Sequence, residues 1–396
     1  MPNISNWSEN YIYKLERHNN KFNLKNIKAF LKTVGNPQKD LKVIHVAGTN
    51  GKGSVCSMIQ SSLMQAGYNV GMFTSPHLTK FNERIRINNQ LISNKDVNRL
   101  TNYVKNVCKK NKSELTFFEM ITTIAILYFK EKNPDYVVLE TGMGGRLDAT
   151  NTTKPIISII TSIGKDHKET LGETIREIAY EKAGIIKNKV PVVTSAKGTA
   201  LKVIRNAAKK KNSKIIIVKT TKDATYQEEN KLTAITALRE LGVGKEAIKE
   251  GMKKYYWPGR FEFVKENILL DCAHNPDGVK ALSKSLGKLN YEKLIIIFGM
   301  MKRADVKAMC REVDKLKGRI IVTKANMTSA RNPEEIAKHL QNSIVTHNLK
   351  EAIKTAERNA GKNDLILITG SIFLVGEVMT VLKERKSKKI NPSFNI

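Results

Sequence analysis

Short apolar runs rich in β-branched residues recur along the chain, and stretches of helical periodicity lie between most of them. LKVIHVAG (41–48), DYVVLETG (135–142), PIISIITSIG (155–164), VPVVTSA (190–196) and KIIIVKT (214–220) read as strands buried on both faces. Strands alternating with amphipathic helices predict a parallel sheet covered by crossover helices. The helix after the first run is the clearest. Val55, Met58, Ile59, Ser62, Leu63 and Ala66 follow helical spacing, and Gly67 stands where a helix would stop. After about residue 257 the pattern restarts, with NILLDCAHNP, KLIIIFGM, RIIVTKA and DLILITGS as four more strands that each feed a helix. Between the two series WPGR (257–260) supplies Pro and Gly at a break. The pattern predicts a large α/β domain over 1–256, a hinge at 257–261 and a smaller α/β domain over 262–396, with low complexity confined to the tail KERKSKKINPSFNI.

Three strand ends carry candidate chemistry. In HVAGTNGKGS (45–54) a strand runs through a glycine-rich loop into a helix, which aims backbone N–H groups and a helix N-terminus at phosphates. Gly48, Gly51 and Gly53 let the chain wrap closely, and Lys52 supplies a cation for the outer phosphates. The string departs from the common P-loop: its first glycines are closer together, and Gly53 follows the lysine where Ser or Thr is usual. In YVVLETGMGGRLDATN (136–151), Glu140 closes an apolar strand, where a carboxylate can reach a Mg²⁺ on nucleotide phosphates or simply face water. In ITSIGKDHKETLGETIREIAYEKAGIIK (160–187) another strand ends at Asp166-His167, and a helix follows on which Ile175, Ile178, Ala179 and Lys182 share a face. Taken alone, Lys182 could snorkel to solvent and His167 could be structural.

Composition narrows the class. With 396 residues, 41% hydrophobic and 27% charged, the chain is globular and long enough for two or three domains. No apolar run reaches the roughly 18 residues of a membrane span, and the polar start lacks the apolar core of a secretion signal. Cys56, Cys108, Cys272 and Cys310 form no CxxC pair, which argues against a zinc cage or disulfide scaffold and predicts a reducing cytoplasm. Lys plus Arg total 68 against 37 Asp plus Glu, a net charge of +31. Such a surface could bind nucleic acid or concentrate anionic small molecules. The lysines are spread along helix faces without interleaved aromatics, so the nucleic-acid reading, a nucleic-acid-stimulated P-loop ATPase, is the weaker.

HVAGTNGKGS, TSPHLTKFNERIRIN (74–88), TFFE (116–119), ETGMGGRLDATN, SIGKDHKETLGET with IAYEKAGIIK, WPGRFE (257–262), DCAHNPDG (271–278) and TGSIFLVGE (369–377) occur in the order seen in the folylpolyglutamate synthase/dihydrofolate synthase family of the Mur ligase superfamily. The chain resembles that family over nearly its whole length. The resemblance implies a P-loop parallel-sheet ATPase domain followed by a smaller Rossmann-like domain, together adding L-glutamate to a folate-type carboxylate with ATP and two Mg²⁺. Asn50, Gly51, Lys52, Gly53 and Ser54 would hold the phosphates. Ser75 and Glu140 would bind one Mg²⁺ and His167 a second, and Lys182 would be carbamylated. Asn230, Arg260 and Asp271 would contact ATP, and His274 and Ser371 the incoming glutamate. Thr116, Phe117, Phe118 and Glu119, with Leu147, Asp148 and Ala149, would line the pterin pocket. A cytoplasmic monomer with small-molecule substrates and no nucleic-acid or membrane partner is expected.

Three departures bear on the substrate. Family members often carry Gly-Leu-x-Arg before the first strand, where this chain has FNLKNI with Asn23 and Asn26 in those places. The segment from 197 to 230 is short, with a compressed YQEEN before the next helix, and FGMMKRADV (298–306) lacks the usual Asp-Lys-Asp. Asn23, Asn26 and the short 197–230 segment keep open a Mur-type ligase that acts on another pterin or a peptide-like carboxylate.

Overall fold

The computed structural model describes residues 7–15 and 23–388, and the chain forms two compact units that divide between Trp257 and Pro258. The first unit holds eight strands: β1 (Val43–Ala47), β2 (Val70–Phe73), β3 (Ile85–Ile87), β4 (Gln90–Leu91), β5 (Tyr136–Glu140), β6 (Pro155–Ile160), β7 (Val192–Thr194) and β8 (Ile215–Ile217). Their spatial order is β4-β3-β2-β5-β1-β6-β7-β8. All neighbours are parallel except at the β2-β3 and β3-β4 pairs, which make an antiparallel edge. The five strands predicted for this unit are all present. β2 was missed because VGMF is too short to show a period, and β3 and β4 because their alternation is brief.

Both faces of the sheet are covered, so the strands are apolar throughout, yet neighbouring residues still part to opposite faces. Ile44 and Val46 pack under the helices Lys52–Gln65, Tyr226–Glu240 and Lys245–Lys254, with Val55, Met58, Ile59, Leu63, Ala234, Leu238 and Ile248. Val43 points the other way, into a core with Phe30, Leu100, Ile121, Ile124 and Phe129 from the helices Lys25–Thr33, Asn94–Lys110 and Phe117–Lys132. The helix predicted after the first strand runs from Lys52 to Gln65 and ends at Gly67, which takes φ +89°. YQEEN is not a connecting loop: Tyr226–Glu240 is one helix. Thr225 and Glu228 close its N-terminus reciprocally, since the Thr225 hydroxyl accepts from Glu228 N and the Glu228 carboxylate accepts from Thr225 N.

The second unit has a six-stranded sheet: β9 (Arg260–Lys265), β10 (Ile268–Asp271), β11 (Leu294–Phe298), β12 (Arg319–Val322), β13 (Ser343–Val345) and β14 (Leu365–Thr369). Their order is β13-β12-β11-β14-β10-β9, parallel apart from the β9-β10 pair. The four predicted strands are β10, β11, β12 and β14. β9 mixes polar and aromatic residues and is only partly buried, which hid it, and it begins inside the stretch read as a hinge. The first six residues of the predicted tail extend the helix Ile372–Lys388, and 389–396 lie outside the described residues. Among the described residues no helix is long and apolar enough to cross a membrane.

The helix Lys52–Gln65 is held by a close crossing. Gly251 lies against the Ser62 backbone, where an added Cβ would overlap Ser62 Cα, and the Ser61 hydroxyl donates to the Gly251 carbonyl at 2.9 Å. Gly251→Ala should therefore cost about 1–3 kcal/mol by overpacking, a fall in Tm of several degrees (about 2–4 °C per kcal/mol). Gly244→Ala, which meets open space, should shift Tm far less. Equal Tm shifts for the two variants in calorimetry would contradict this packing.

Candidate active site

The loops that carry the predicted chemistry gather at the carboxyl end of the first sheet, where β1 lies between β5 and β6 and the crossovers leave in opposite directions. The loop after β1 is tied down from the side of β6. Thr49 N donates to Ser162 O at 2.8 Å, and the Thr49 hydroxyl bridges Gly164 O and Gly164 N. The Thr161 hydroxyl donates to Asn50 O at 2.7 Å. Gly51 takes φ +85° as the N-cap of Lys52–Gln65, and an added Cβ would run into the Asn230 amide. Asn230 is buried in the helix Tyr226–Glu240, so the structure places it against the loop. The glycine after Lys52 has a steric reason too. A Cβ at Gly53 would lie 2.7 Å from the indole of Trp257, whose ring also faces the Arg86 guanidinium at 5.4 Å. Lys52, Gly53 and Ser54 form the first turn of the helix, whose first N–H groups have no partner within the helix.

Lys52 Nζ donates to its own loop at Thr49 O, 3.2 Å, and stands 3.9 Å from Glu140 Oε1. Glu140 ends β5 and is buried, and its Oε2 accepts Ser75 N at 3.1 Å. Lys52, Ser75 and Glu140 thus lie together from three separate segments, Ser75 through its backbone N–H. Lys182 does not snorkel. It is 3% exposed, and Nζ donates to Gly48 O at 2.7 Å. Burial, then the Lys52 ammonium, push its pKa down to about 7, against the opposing pull of Asp166 and Asp148. His167 takes φ +50° and caps the short helix Lys168–Leu171, with its N–H on the Asp166 carboxylate at 2.9 Å; it is half-exposed. Among the described residues no three His, Cys, Asp or Glu side chains cluster as a closed metal cage. A hard-oxygen set of Glu140 and Ser75 beside a phosphate loop fits Mg²⁺, which keeps waters and takes ligands from phosphates.

Beside this edge lies an aromatic cluster. Phe117 stacks on Tyr13 at 5.6 Å between ring centres, and the Arg84 guanidinium covers its ring at 5.6 Å. Arg84 Nε donates to His77 Nδ1 at 2.9 Å, so the imidazole carries its proton on Nε2, 3.3 Å from the Tyr13 hydroxyl. Burial, then Arg84, hold His77 neutral with a pKa of about 3. Phe118 packs on Phe73 and fills the space where a side chain at Gly142 would stand. Thr116 and Glu119 form a capping box on Phe117–Lys132, so the Glu119 carboxylate accepts Thr116 N at 2.9 Å. Leu147 is half-buried and Ala149 buried in the loop after β5, and the buried Asp148 carboxylate turns inward on that loop. Tyr13, His77, Arg84 and Trp257 were not singled out in the sequence. His77 and Arg84 lie inside the TSPHLTKFNERIRIN block, and Trp257 was read only as part of a break.

In the second unit the remaining predicted residues also sit at carboxyl strand ends. Asp271 closes β10, buried, with Oδ2 accepting Phe261 N at 3.0 Å and Oδ1 accepting Ala273 N at 2.9 Å. Arg260 opens β9 and reaches Cys272 O at 3.5 Å, and His274 Nδ1 lies 2.9 Å from the same carbonyl. Ser371 is buried at the turn from β14 into Ile372–Lys388, and its hydroxyl accepts Phe373 N at 3.2 Å. Gly370 N donates to Ala273 O at 3.0 Å, which holds the β10 and β14 loops side by side.

Comparison with known proteins assigns both units. Residues 46–240 match the Mur ligase middle domain and 259–372 the Mur ligase glutamate ligase domain. The dihydrofolate synthase/folylpolyglutamate synthase of Bacillus subtilis is 33% identical over 404 residues, covering 90% of this chain and 94% of that protein. Escherichia coli FolC in complex with DHPP and ADP superposes with a TM-score of 0.89 at 27% identity, over 98% of this chain and all of that one. A bifunctional folylpolyglutamate synthase/dihydrofolate synthase with Mn, AMPPNP and L-glutamate bound superposes at 0.87, with 27% identity over 95% of this chain and 98% of the other. One-third identical to such a relative across nine-tenths of its length, and matched in both units, the chain belongs to the folylpolyglutamate synthase/dihydrofolate synthase family of Mur ligases.

Proposed function

We propose that this chain uses ATP to join L-glutamate to the carboxylate of a folate-type substrate through an acyl phosphate. The observation that carries the reading is the meeting of Lys52, Glu140 and Ser75 beside the buried amine of Lys182 at the mouth of a phosphate-binding loop. A carboxylate is a poor acyl donor, so its oxygen first attacks the γ-phosphorus and ADP leaves. The glutamate nitrogen then attacks the acyl carbon, the C–N bond forms and phosphate departs with the former carboxylate oxygen. No side-chain nucleophile is needed, and all four cysteines are buried.

In this reading the backbone N–H groups of Asn50 to Ser54 cradle the phosphates, and Lys52 stabilises charge on the transferred group. Mg²⁺ held by Glu140 and Ser75, with a second ion near His167, would neutralise phosphate charge. Asn230, Arg260 and Asp271 are assigned to ATP, His274 and Ser371 to the amino acid. The aromatic cluster around Phe117 and Phe118 offers a pteridine ring an apolar face, with Leu147 to Ala149 on the neighbouring loop. Thr116 and Glu119 support that face by fixing the first turn of their helix.

The experiment that tests the function is ligation of labelled L-glutamate with ATP across dihydropteroate, tetrahydrofolate and other pterins. The wild-type protein should consume one ATP per amide formed. Lys52→Ala should lower kcat at saturating ATP by about 100-fold or more, the loss typical of a preorganised charge donor, without moving Tm. Near-normal turnover in that variant would remove Lys52 from the chemistry.

Lys182 is proposed to work as a carbamate. An amine with a pKa of about 7 loses its proton as pH rises past neutrality, and the neutral amine adds CO₂ to give an anion suited to hard cations. Activity should thus depend on bicarbonate, be retained above pH 7 and fall below it. Lys182→Ala should lose most activity, with partial rescue by acetate. A fully active Lys182→Ala protein, assayed with and without bicarbonate, would rule the carbamate out.

A further inference from the structure

His45 belongs to the phosphate-loop motif, yet none of the steps above uses it. It lies in the middle of β1, between Leu139 of β5 and Ser158 of β6, and is fully buried. Its side chain leaves the sheet on the face opposite Ile44 and Val46. There Nε2 lies 2.8 Å from the Thr150 hydroxyl, and the Thr150 hydroxyl lies 2.5 Å from Asp148 Oδ1.

With Asp148 ionised, the chemistry of these groups sets the direction of each hydrogen bond in the chain. The Asp148 carboxylate also accepts Thr150 N at 3.0 Å on Oδ1 and Met143 N at 2.9 Å on Oδ2. Burial pushes the Asp148 pKa up, opposed by hydrogen bonds from the Thr150 hydroxyl and from the backbone of Met143, Thr150 and Gly142, which favour the ionised form. A carboxylate can only accept, so the Thr150 hydroxyl donates to it. That hydroxyl must then accept from His45, which places the imidazole proton on Nε2. Nδ1 is left a bare acceptor, and it has no partner among the described residues. The alternative tautomer would set two acceptors face to face. His45 stays neutral, because burial and then the nearby Lys187 push its pKa down to about 3.

We propose that His45 and Thr150 are positioning residues that fasten the substrate loop, residues 142–150, to the strand carrying the phosphate loop. The proposal rests on the assignment of Leu147 to Ala149 to the pterin pocket. Asp148 folds that loop back on itself through Met143 N and Thr150 N. His45 then anchors the folded loop to β1, three residues before Gly48. The carbonyl of Gly48 is in turn held by Lys182. The strand that aims the phosphates is therefore also the one that sets where the acceptor carboxylate lies. Proton direction in the relay makes the anchor one-way: a side chain at 45 serves only if it donates.

The test uses the full-length protein and whichever of dihydropteroate and tetrahydrofolate it ligates. Thr150→Val and His45→Leu should each raise the KM for the pteroyl substrate about tenfold, the equivalent of about 1.4 kcal/mol, and leave the KM for ATP within about twofold. His45→Gln, whose amide can donate from nearly the same place, and Thr150→Ser should restore most of the affinity. The Thr150→Val/His45→Leu double variant should be no worse than either single, since both cut the same chain. An unmoved pteroyl KM in Thr150→Val, additive losses in the double variant, or a failure of Ser and Gln to restore would overturn the proposal. Losses spread over all three substrates in step with a falling Tm would also overturn it, by making the pair merely structural. Phe117→Leu separates this from the pocket assignment. If it raises the pteroyl KM while Thr150→Val does not, only the anchor fails; if neither variant moves it, the pocket assignment fails as well.

Discussion

The amine of Lys182 has no exit to water. It is pinned to the carbonyl of Gly48, so the first glycine of the phosphate loop is fixed from below, and it sits close enough to Lys52 to feel that charge. A second ammonium buried beside Lys52 would be desolvated and repelled by that charge. The lowered pKa relieves that repulsion by letting one proton go. The same lysine helps set the loop's shape and presents the site's most easily deprotonated amine. Lys52 remains as the cation aimed at phosphate, 3.9 Å from the carboxylate of Glu140.

Around that point the site is built by close approach more than by charge. Gly51 meets Asn230, Gly53 meets Trp257 and Gly251 meets Ser62, each with no room for a Cβ. These contacts brace the phosphate loop and its helix with elements that lie far along the chain. Threonine hydroxyls at 49, 150 and 161 supply the polar fastenings, and all three are buried. Rigid placement matters here because the proposed reaction must bring ATP, the carboxylate and glutamate together with no side-chain nucleophile, so correct alignment must supply much of the rate.

The parallel strands of both sheets were largely legible because strands buried on two faces leave long β-branched runs that nothing else explains. The glycine-rich loop and Glu140 were legible for a related reason, since strand ends followed by glycines have few other uses. β2, β3, β4, β9 and β13 were not, being short, edge-like or partly polar. Trp257 and Asn230 show why part of the site was hidden. Asn230 could be named only through family resemblance, and its contact with Gly51 joins residues far apart in the chain. Trp257 reads as a punctuation residue, yet it explains why glycine rather than serine follows Lys52. Lys182 was ambiguous as a sequence feature; its helical face was right, but only packing distinguishes a buried amine from a snorkelling one. His45 and Thr150, both inside quoted motifs, gave no sign of contact because their separation of 105 residues carries no local pattern.

In the proposed function ATP activates the substrate's own carboxylate at the carboxyl end of the first sheet. The most direct measurement supplies the pteroyl substrate with ¹⁸O in that carboxylate, together with ATP and L-glutamate, and follows the label by mass spectrometry. Activation through an acyl phosphate predicts one ¹⁸O in the phosphate released for each amide made. Amide formation with unlabelled phosphate would contradict it.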